Sequence, residues 1–331
     1  MNIKAIILAG GKATRLLPLT EKTPKSLVPV LNTPFLDHVL LALKSYGIED
    51  VTIACGHLST SLQEHYAENN LDLNISFTYE ESPLGTGGAV VNAWDKQTQT
   101  ILVLNGDIFS DINIADLLAF HQKSQSQITF SLVTLEDPSH YGVLEIDING
   151  RVLSFTEKPK LEEAKSNLIN AGIYIMETSV LQMVTADKFT SFEQDIFPIL
   201  LANGAPIFGF KSNAYWIDIG KPQDYKQLNF DLLNGKVCTF APRPRGIYNT
   251  EKQNIISDTA IIASTSQIKN SIIWKDVKVG NRAIVDDSVL CKHVQISADC
   301  YIKSSLLGQE VYVKEGHQVI EEKIDAGNVF S

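Results

Sequence analysis

Two hydrophobic patterns divide the chain. Up to about residue 235, short apolar runs alternate with amphipathic stretches. Residues 5–9 are a continuous apolar run, the mark of a buried strand, and 51–54 and 100–104 are further strands of mostly apolar residues. Residues 34–46 carry Phe35, Val39, Leu40, Leu43 and Tyr46 at helical spacing. Residues 192–202 read as a further helix, and Pro222 opens another. The middle is different: residues 128–135, 142–148, 152–156 and 170–176 are strands, with Asn149-Gly150 as a hairpin turn. The alternating βα units predict a mostly parallel, twisted sheet with helices on both faces and ligands at the carboxyl ends of its strands. The hairpin strands predict a sugar-sized pocket beside it.

After a lapse at 236–254, marked by Pro242, Pro244 and Gly246, the chain becomes periodic. Ile256, Ile273, Leu290 and Leu307 recur every seventeen residues, as do Ile262, Val279, Ile296 and Val313, and Ile268, Val285, Ile302 and Val319. Inward aliphatics therefore step six, six, five, and Ser271, Ser288 and Ser305 keep the same phase. Three inward positions per turn held over four cycles describe a parallel β-helix. The expected organisation is a domain over 1–235, a linker over 236–254 and a β-helix over 255–331.

Composition narrows the function without choosing it. With 331 residues, 44% hydrophobic and 20% charged, the chain is an ordinary soluble type. Its formal charge of −10 argues against a nucleic-acid binder, and no apolar run approaches a membrane span. Met1-Asn2-Ile3-Lys4 has no signal-peptide layout, and Cys55, Cys238, Cys291 and Cys300 lack C-x-x-C spacing. The expectation is a cytoplasmic protein without disulfides or zinc.

Candidate chemistry gathers where the first strand ends. Gly10 and Gly11 follow it directly, then Lys12, Thr14, Arg15 and Lys25, with no carboxylate before Glu21. Glycines let backbone N–H groups curl around an anion, and hydroxyl and cationic donors beside them suit a polyphosphate. Asp107, after Asn105-Gly106, and Asp218, between two isoleucines, are candidate Mg²⁺ ligands, since that ion takes one or two carboxylates plus substrate phosphates. Glu157 and Lys158 suit sugar hydroxyls and a sugar phosphate, or are a solvated surface pair. Asn170 and Gly172 either begin a strand or line the same pocket, as does Tyr141-Gly142. Glu80 and Glu81 offer acceptors to a base or are surface charges. His293 and His317 raise the alternative of an acyltransferase built on the repeat.

In order, Leu8 to Leu16 with Pro24-Lys25, Leu84-Gly85-Thr86-Gly87-Gly88, Asn105-Gly106-Asp107, Tyr141-Gly142-Val143, Phe155 to Pro159, Asn170 to Tyr174 and Trp216 to Gly220 resemble the motifs of sugar-1-phosphate nucleotidylyltransferases. The strongest likeness is to mannose-1-phosphate guanylyltransferases. The resemblance implies a Rossmann-like (GT-A type) α/β domain followed by a left-handed parallel β-helix of hexapeptide-like repeats. It implies transfer of a nucleoside monophosphate from a nucleoside triphosphate to a sugar 1-phosphate, with Mg²⁺ as cofactor. It assigns Arg15 and Lys25 to catalysis. Leu8, Ala9, Gly10, Gly11, Thr14, Glu80, Gly85 and Thr86 go to the nucleotide, and Gly142, Glu157, Lys158, Asn170 and Gly172 to the sugar phosphate. Asp107 and Asp218 go to the metal. Self-association through the β-helix is the expected assembly. Heptose-1-phosphate guanylyl transfer, glucose-1-phosphate uridylyl or thymidylyl transfer, and a non-catalytic nucleotide-sugar-binding regulator are the alternatives. One residue departs from the motif: Ala13 stands where the family has glycine, so a positive φ there would strain the loop.

Overall fold

The computed structural model describes residues 3–11, 13–56, 59–80, 82–185 and 188–330; Lys12 and Glu81 lie outside them. The chain forms two compact units, Met1–Gly11 with Leu43–Ile217, and Lys12–Ala42 with Asp218–Ser331.

The first unit is built on nine strands: β1 Ile3–Ala9, β2 Asp50–Cys55, β3 Asn74–Tyr79, β4 Thr100–Asn105, β5 Ile128–Thr134, β6 Gly142–Ile146, β7 Val152–Glu157, β8 Leu168–Glu177 and β9 Ile207–Lys211. Seven run in the order β7-β6-β8-β4-β1-β2-β3, and β5 pairs with both β8 and β9. Strand β1 is parallel to neighbours on both sides, with Ile7 opposite Ile53 and Leu104. Ala5, Ile6 and Ile7 are fully buried there, which is why the run has no polar alternation. Helices α1 Phe35–Ser45, α2 Ser59–Glu68 and α3 Gly85–Ala93 fall between β1 and β4, and α4 Ile114–Lys123 and α5 Phe197–Ala202 follow.

The sheet is mixed rather than mostly parallel. Strand β8 runs antiparallel to β4, β5 and β6, and β6 and β7 form a hairpin. Parallel order is confined to β1–β4 and the β5–β9 pair. Antiparallel strands join through short turns, whereas parallel ones need a crossover. The loss of helical patterning between 142 and 176 follows from that.

In the second unit, the seventeen-residue columns become stacked strands. Ile256, Ile273, Leu290, Leu307 and Ile324 are successive partners, as are Ile262, Val279, Ile296, Val313 and Phe330, and Ile268, Val285, Ile302 and Val319. The repeat is a parallel β-helix with one continuous aliphatic core. The in-phase serines form an internal ladder. The Ser271 hydroxyl accepts from the Ser288 N–H, Ser288 from Ser305, and Ser305 from Glu322, each at 3.1 Å. All three serines are fully buried, so the ladder satisfies backbone groups at a corner that water does not reach. Gly246–Asn249, within the proline-marked stretch, is itself a strand, antiparallel to Asn254–Ser257.

Helix α6 Pro222–Leu233 and residues 13–42 complete this unit. His38 is buried there, with Nε2 at 3.0 Å from the Val30 carbonyl and Nδ1 at 2.7 Å from the Thr239 hydroxyl. A carbonyl only accepts, so Nε2 carries the proton and Nδ1 accepts from Thr239. Burial lowers the His38 pKa to about 4, against the opposing hydrogen bonds to Val30 and Thr33. The unfolded imidazole binds its proton near pH 6.5 and the folded one only near 4, so stability is complete above 6.5 and falls as pH drops through that window. At pH 5 the loss is about 2 kcal/mol. Denaturant titrations at pH 7.5 and 5 should show His38→Gln losing less stability on acidification than the parent; equal losses would place the acid-sensitive group elsewhere.

Candidate active site

Beyond Gly11 the chain makes two single turns, Thr14–Leu16 and Lys25–Leu27. Leu16 is fully buried and pins the first, leaving Thr14 and Arg15 exposed beside it. Ala13, which enters that turn, has φ 49° and ψ 35°. This left-handed conformation is the one the sequence flagged as straining a residue with a Cβ. Its carbonyl is held from two sides, by the Thr20 hydroxyl at 2.9 Å and the Leu16 N–H at 3.0 Å.

Arg15 and Lys25 converge on Asp218. The Arg15 guanidinium lies 3.9 Å and the Lys25 ammonium 3.6 Å from the carboxylate, with Arg15 63% exposed and Lys25 only 12%. Gly220 makes the approach possible: a Cβ on it would lie 2.7 Å from an Arg15 nitrogen and 2.9 Å from an Asp218 oxygen. In the first turn of α6, burial raises the Asp224 pKa, and the positive fields of Lys221, Arg15 and Lys25 oppose it. Two cations flanked by two carboxylates form a cluster that can trade carboxylate for phosphate oxygens.

In the first unit, the carboxyl ends of β1 and β4 lie side by side, Leu8 opposite Asn105. The Gly106 N–H donates to the Leu8 carbonyl at 2.9 Å, and a Cβ on Gly106 would come within 2.7 Å of that oxygen. Glycine therefore lets the turn bearing Asp107 close onto the first strand. On the other side, a Cβ on Gly56 would sit 2.4 Å from the Gly10 carbonyl. Gly10 and Gly11 themselves are exposed.

The residues assigned to the sugar phosphate gather on β6, β7 and β8. Glu157 is the cross-strand partner of Gly142, and a Cβ on Gly142 would be 3.0 Å from its carboxylate. Lys158, with φ 46°, turns its ammonium back to Glu157 at 3.0 Å. The Asn170 side-chain oxygen accepts from the Gly172 N–H at 3.0 Å where β8 slips register against β5. Gly172 has φ +71°, and a Cβ there would meet the Asn105 amide at 2.7 Å. Tyr141 stacks edge-on against Trp216 at 5.2 Å, and the Trp216 indole N–H donates to the Ala171 carbonyl at 2.8 Å. These contacts bring Tyr141, Gly142, Glu157, Asn170, Gly172 and Trp216 around one small apolar cluster.

The Leu84–Gly88 segment is committed largely to packing. The Thr86 hydroxyl donates to Glu193 at 2.6 Å and accepts from the Phe192 N–H at 2.9 Å. Gly85, at φ +71°, lies against the Thr190 carbonyl, where a Cβ would come within 2.6 Å. A Glu80 oxygen accepts from the Leu84 N–H at 2.9 Å and so caps the loop. Gly56, Thr20, Glu193 and Asp224 were not singled out by sequence. Thr20 meets Ala13 only seven residues back, but the roles of Gly56, Glu193 and Asp224 rest on partners far away in the chain.

Comparison with known proteins then decides the class. Residues 4–235 match the nucleotidyl transferase family model, and residues 239–330 match the GlmU-like C-terminal hexapeptide model. This chain belongs to the nucleotidyl transferase family. It is 33% identical over 305 residues to a mannose-1-phosphate guanylyltransferase of Mycobacterium tuberculosis, covering 91% of this chain and 83% of that one. It is 33% identical over 340 residues to mannose-1-phosphate guanylyltransferase 1 of Arabidopsis thaliana, covering 95% and 93%. Among solved structures, HddC from Yersinia pseudotuberculosis complexed with GMP-PN aligns with a TM-score of 0.59 at 30% identity, over 68% of this chain and 97% of that one.

Nucleotidyl transferases of this family use a divalent cation. Among the described residues no group of three or more His, Cys, Asp or Glu side chains is placed to hold a metal. Asp107 and Asp218, one in each compact unit, are only partly exposed and offer hard oxygen donors. Each is a donor of the kind that a divalent cation takes together with substrate phosphates and water.

Ala13 gives a direct test of the loop. Relief of its left-handed backbone in Ala13→Gly is worth about 1–2 kcal/mol, and the added freedom of the unfolded chain costs about 0.4–1. The expected net gain is about 0.5–1 kcal/mol, read as a rise in Tm of a few degrees at most. A lower Tm would show that Ala13 is not strained.

Proposed function

We propose that this protein transfers GMP from GTP to mannose 1-phosphate, releasing pyrophosphate and forming GDP-mannose. The full-length likeness to guanylyltransferases carries this reading, and the Arg15–Asp218–Lys25 cluster supports it. The domain that performs transfer is taken as 1–235, the linker as 236–254 and the β-helix domain as 255–331. The β-helix mediates self-association; Ile261, Tyr312 and Val329, outward on one of its sheets, supply exposed apolar surface. Among the described residues no helix is long and apolar enough to cross a membrane, and a cytoplasmic setting suits four free cysteines.

The chemistry needs no activated side-chain nucleophile. A phosphate oxygen of the sugar 1-phosphate attacks the α-phosphorus in line, and the α–β phosphoanhydride bond breaks with its electron pair leaving on pyrophosphate. Gly10 and Gly11 present backbone N–H groups to the phosphates, with Thr14 adding a hydroxyl. Arg15 and Lys25 carry the charge that shifts onto the leaving group. Asp218 holds both cations in place beforehand, so little reorganisation remains when the substrate arrives. Leu8, Ala9, Glu80, Gly85 and Thr86 shape the base site; the internal bonds of Glu80 and Thr86 make them frame rather than reader. Glu157, Asn170, Gly142 and Gly172 hold the sugar, and Lys158 holds its phosphate. Asp107 and Asp218 would hold Mg²⁺, which supplies charge neutralisation on the phosphates when bound.

Two measurements check this reading. In a pyrophosphate-release panel of ATP, GTP, UTP and dTTP against mannose, glucose and heptose 1-phosphates, GTP with mannose 1-phosphate should give the highest kcat/KM by at least about tenfold. A higher value for UTP or dTTP with glucose 1-phosphate would reassign the substrates, and no release with any pair would overturn the enzymatic reading. Lys25→Ala should lower kcat about 100-fold or more while the sugar-phosphate KM stays within about twofold. A near-normal kcat would remove Lys25 from the reaction.

A further inference from the structure

The β-helix carries one corner unlike the others. Trp274, Cys291 and Gly308 occupy the same position in successive turns, seventeen residues apart, and shrink from indole to thiol to hydrogen. All three are buried, and burial holds the Cys291 thiol well above its ordinary pKa, with Glu21 adding to the rise. Residues 21–29, which include Lys25, lie along this taper. The Glu21 carboxylate accepts from the Ala326 N–H at 2.7 Å, Lys22 pairs with Glu310 at 2.8 Å, and the Gln309 amide donates to the Thr23 hydroxyl.

At the wide end a single hydroxyl joins three parts of the unit. The Trp274 indole N–H donates to the Tyr225 hydroxyl at 3.0 Å, and that hydroxyl donates to the Pro29 carbonyl at 2.6 Å. Tyr225 is fully buried and Trp274 nearly so. Beside it, the Asn229 amide donates to the Tyr225 carbonyl and its oxygen accepts from the Leu31 N–H, both at 2.9 Å. Pro29 is connected to Lys25 by one tight turn, closed by the Leu27 N–H to Pro24 and the Val28 N–H to Lys25. That link leaves little slack, so where Pro29 sits fixes where the Lys25 ammonium meets Asp218.

We propose that Tyr225 is a positioning residue for nucleotidyl transfer. Through its hydroxyl, the second turn of the β-helix sets the place of the loop that presents Lys25. The repeat is then a working part of the transfer site and more than an assembly surface. This rests on the reading of Lys25 as the cation that meets the phosphates. Reactions of this kind lose rate steeply when a charged group shifts by a fraction of an ångström to an ångström.

The test is a double-mutant cycle in the full-length protein with Tyr225→Phe, Lys25→Ala and both together, read by pyrophosphate release. Tyr225→Phe keeps the ring and removes only the hydroxyl. It should lower kcat about tenfold with the sugar-phosphate KM within about twofold, and the double variant should be no slower than Lys25→Ala alone. Trp274→Phe, which removes the indole donor, should follow the same pattern and serves if Tyr225→Phe folds poorly. A kcat unchanged in Tyr225→Phe and Trp274→Phe while Lys25→Ala is crippled overturns the proposal alone. Multiplying losses in the double variant overturn it too, because the hydroxyl then acts independently of Lys25. A near-normal Lys25→Ala instead overturns the reading on which the proposal stands.

Discussion

Two cations aimed at the same small volume repel each other, and the carboxylate that meets them both is Asp218. Asp218 lies within 4 Å of both the Arg15 guanidinium and the Lys25 ammonium. Were all three groups fully exposed, such pairs would be worth at most about 1 kcal/mol each. Lys25 and Asp218 are instead largely withdrawn from water, at 12% and 14% exposure, so their attraction is screened less. The rest of the local structure follows from keeping this arrangement. Gly220 must lack a side chain, Leu16 must anchor the turn that launches Arg15, and the chain after Lys25 must be tied down.

Tying down is where the repeat enters. A surface pair such as Lys22–Glu310, with both side chains about half exposed, fixes little. The Tyr225 hydroxyl is different. It satisfies a carbonyl and an indole N–H in a buried setting, where leaving either unpaired costs about 1–3 kcal/mol. Buried hydrogen bonds of this sort admit few alternative geometries, so they specify position better than an exposed ion pair does.

How much of this was legible beforehand depended on how far each feature reaches along the chain. The β-helix was plain because its register is the sequence period itself: a column of partners at Ile256, Ile273, Leu290 and Leu307 is a count of seventeen. The glycine before Asp107 was plain because close backbone approach needs that residue type locally. Strand direction was not legible. A strand buried on both faces looks alike whichever way its neighbour runs, so β8 carried no sign of being antiparallel to β4. Nor were Glu193 under Thr86, or Tyr225 under Pro29, since residues 107 and 196 positions apart share no pattern. The assigned nucleotide residues Thr86 and Glu80 illustrate the cost, because their polar atoms are engaged by neighbours that no motif names.

Ala13 shows how a locally unfavourable residue is kept. Its left-handed backbone costs about 1–2 kcal/mol against glycine. Two hydrogen bonds converge on its carbonyl, each with a net worth of about 0.5–1.5 kcal/mol, and complete burial of Leu16 three residues on adds about 1.5–3. Those terms exceed the strain, so the turn holds with alanine in place. Glycine would relieve the backbone but also loosen it, and a loop in the proposed phosphate-binding role gains from being stiff before a ligand arrives. Alanine at this position therefore trades folding stability for a more restricted loop, and that restriction acts on Arg15, two residues further along the chain.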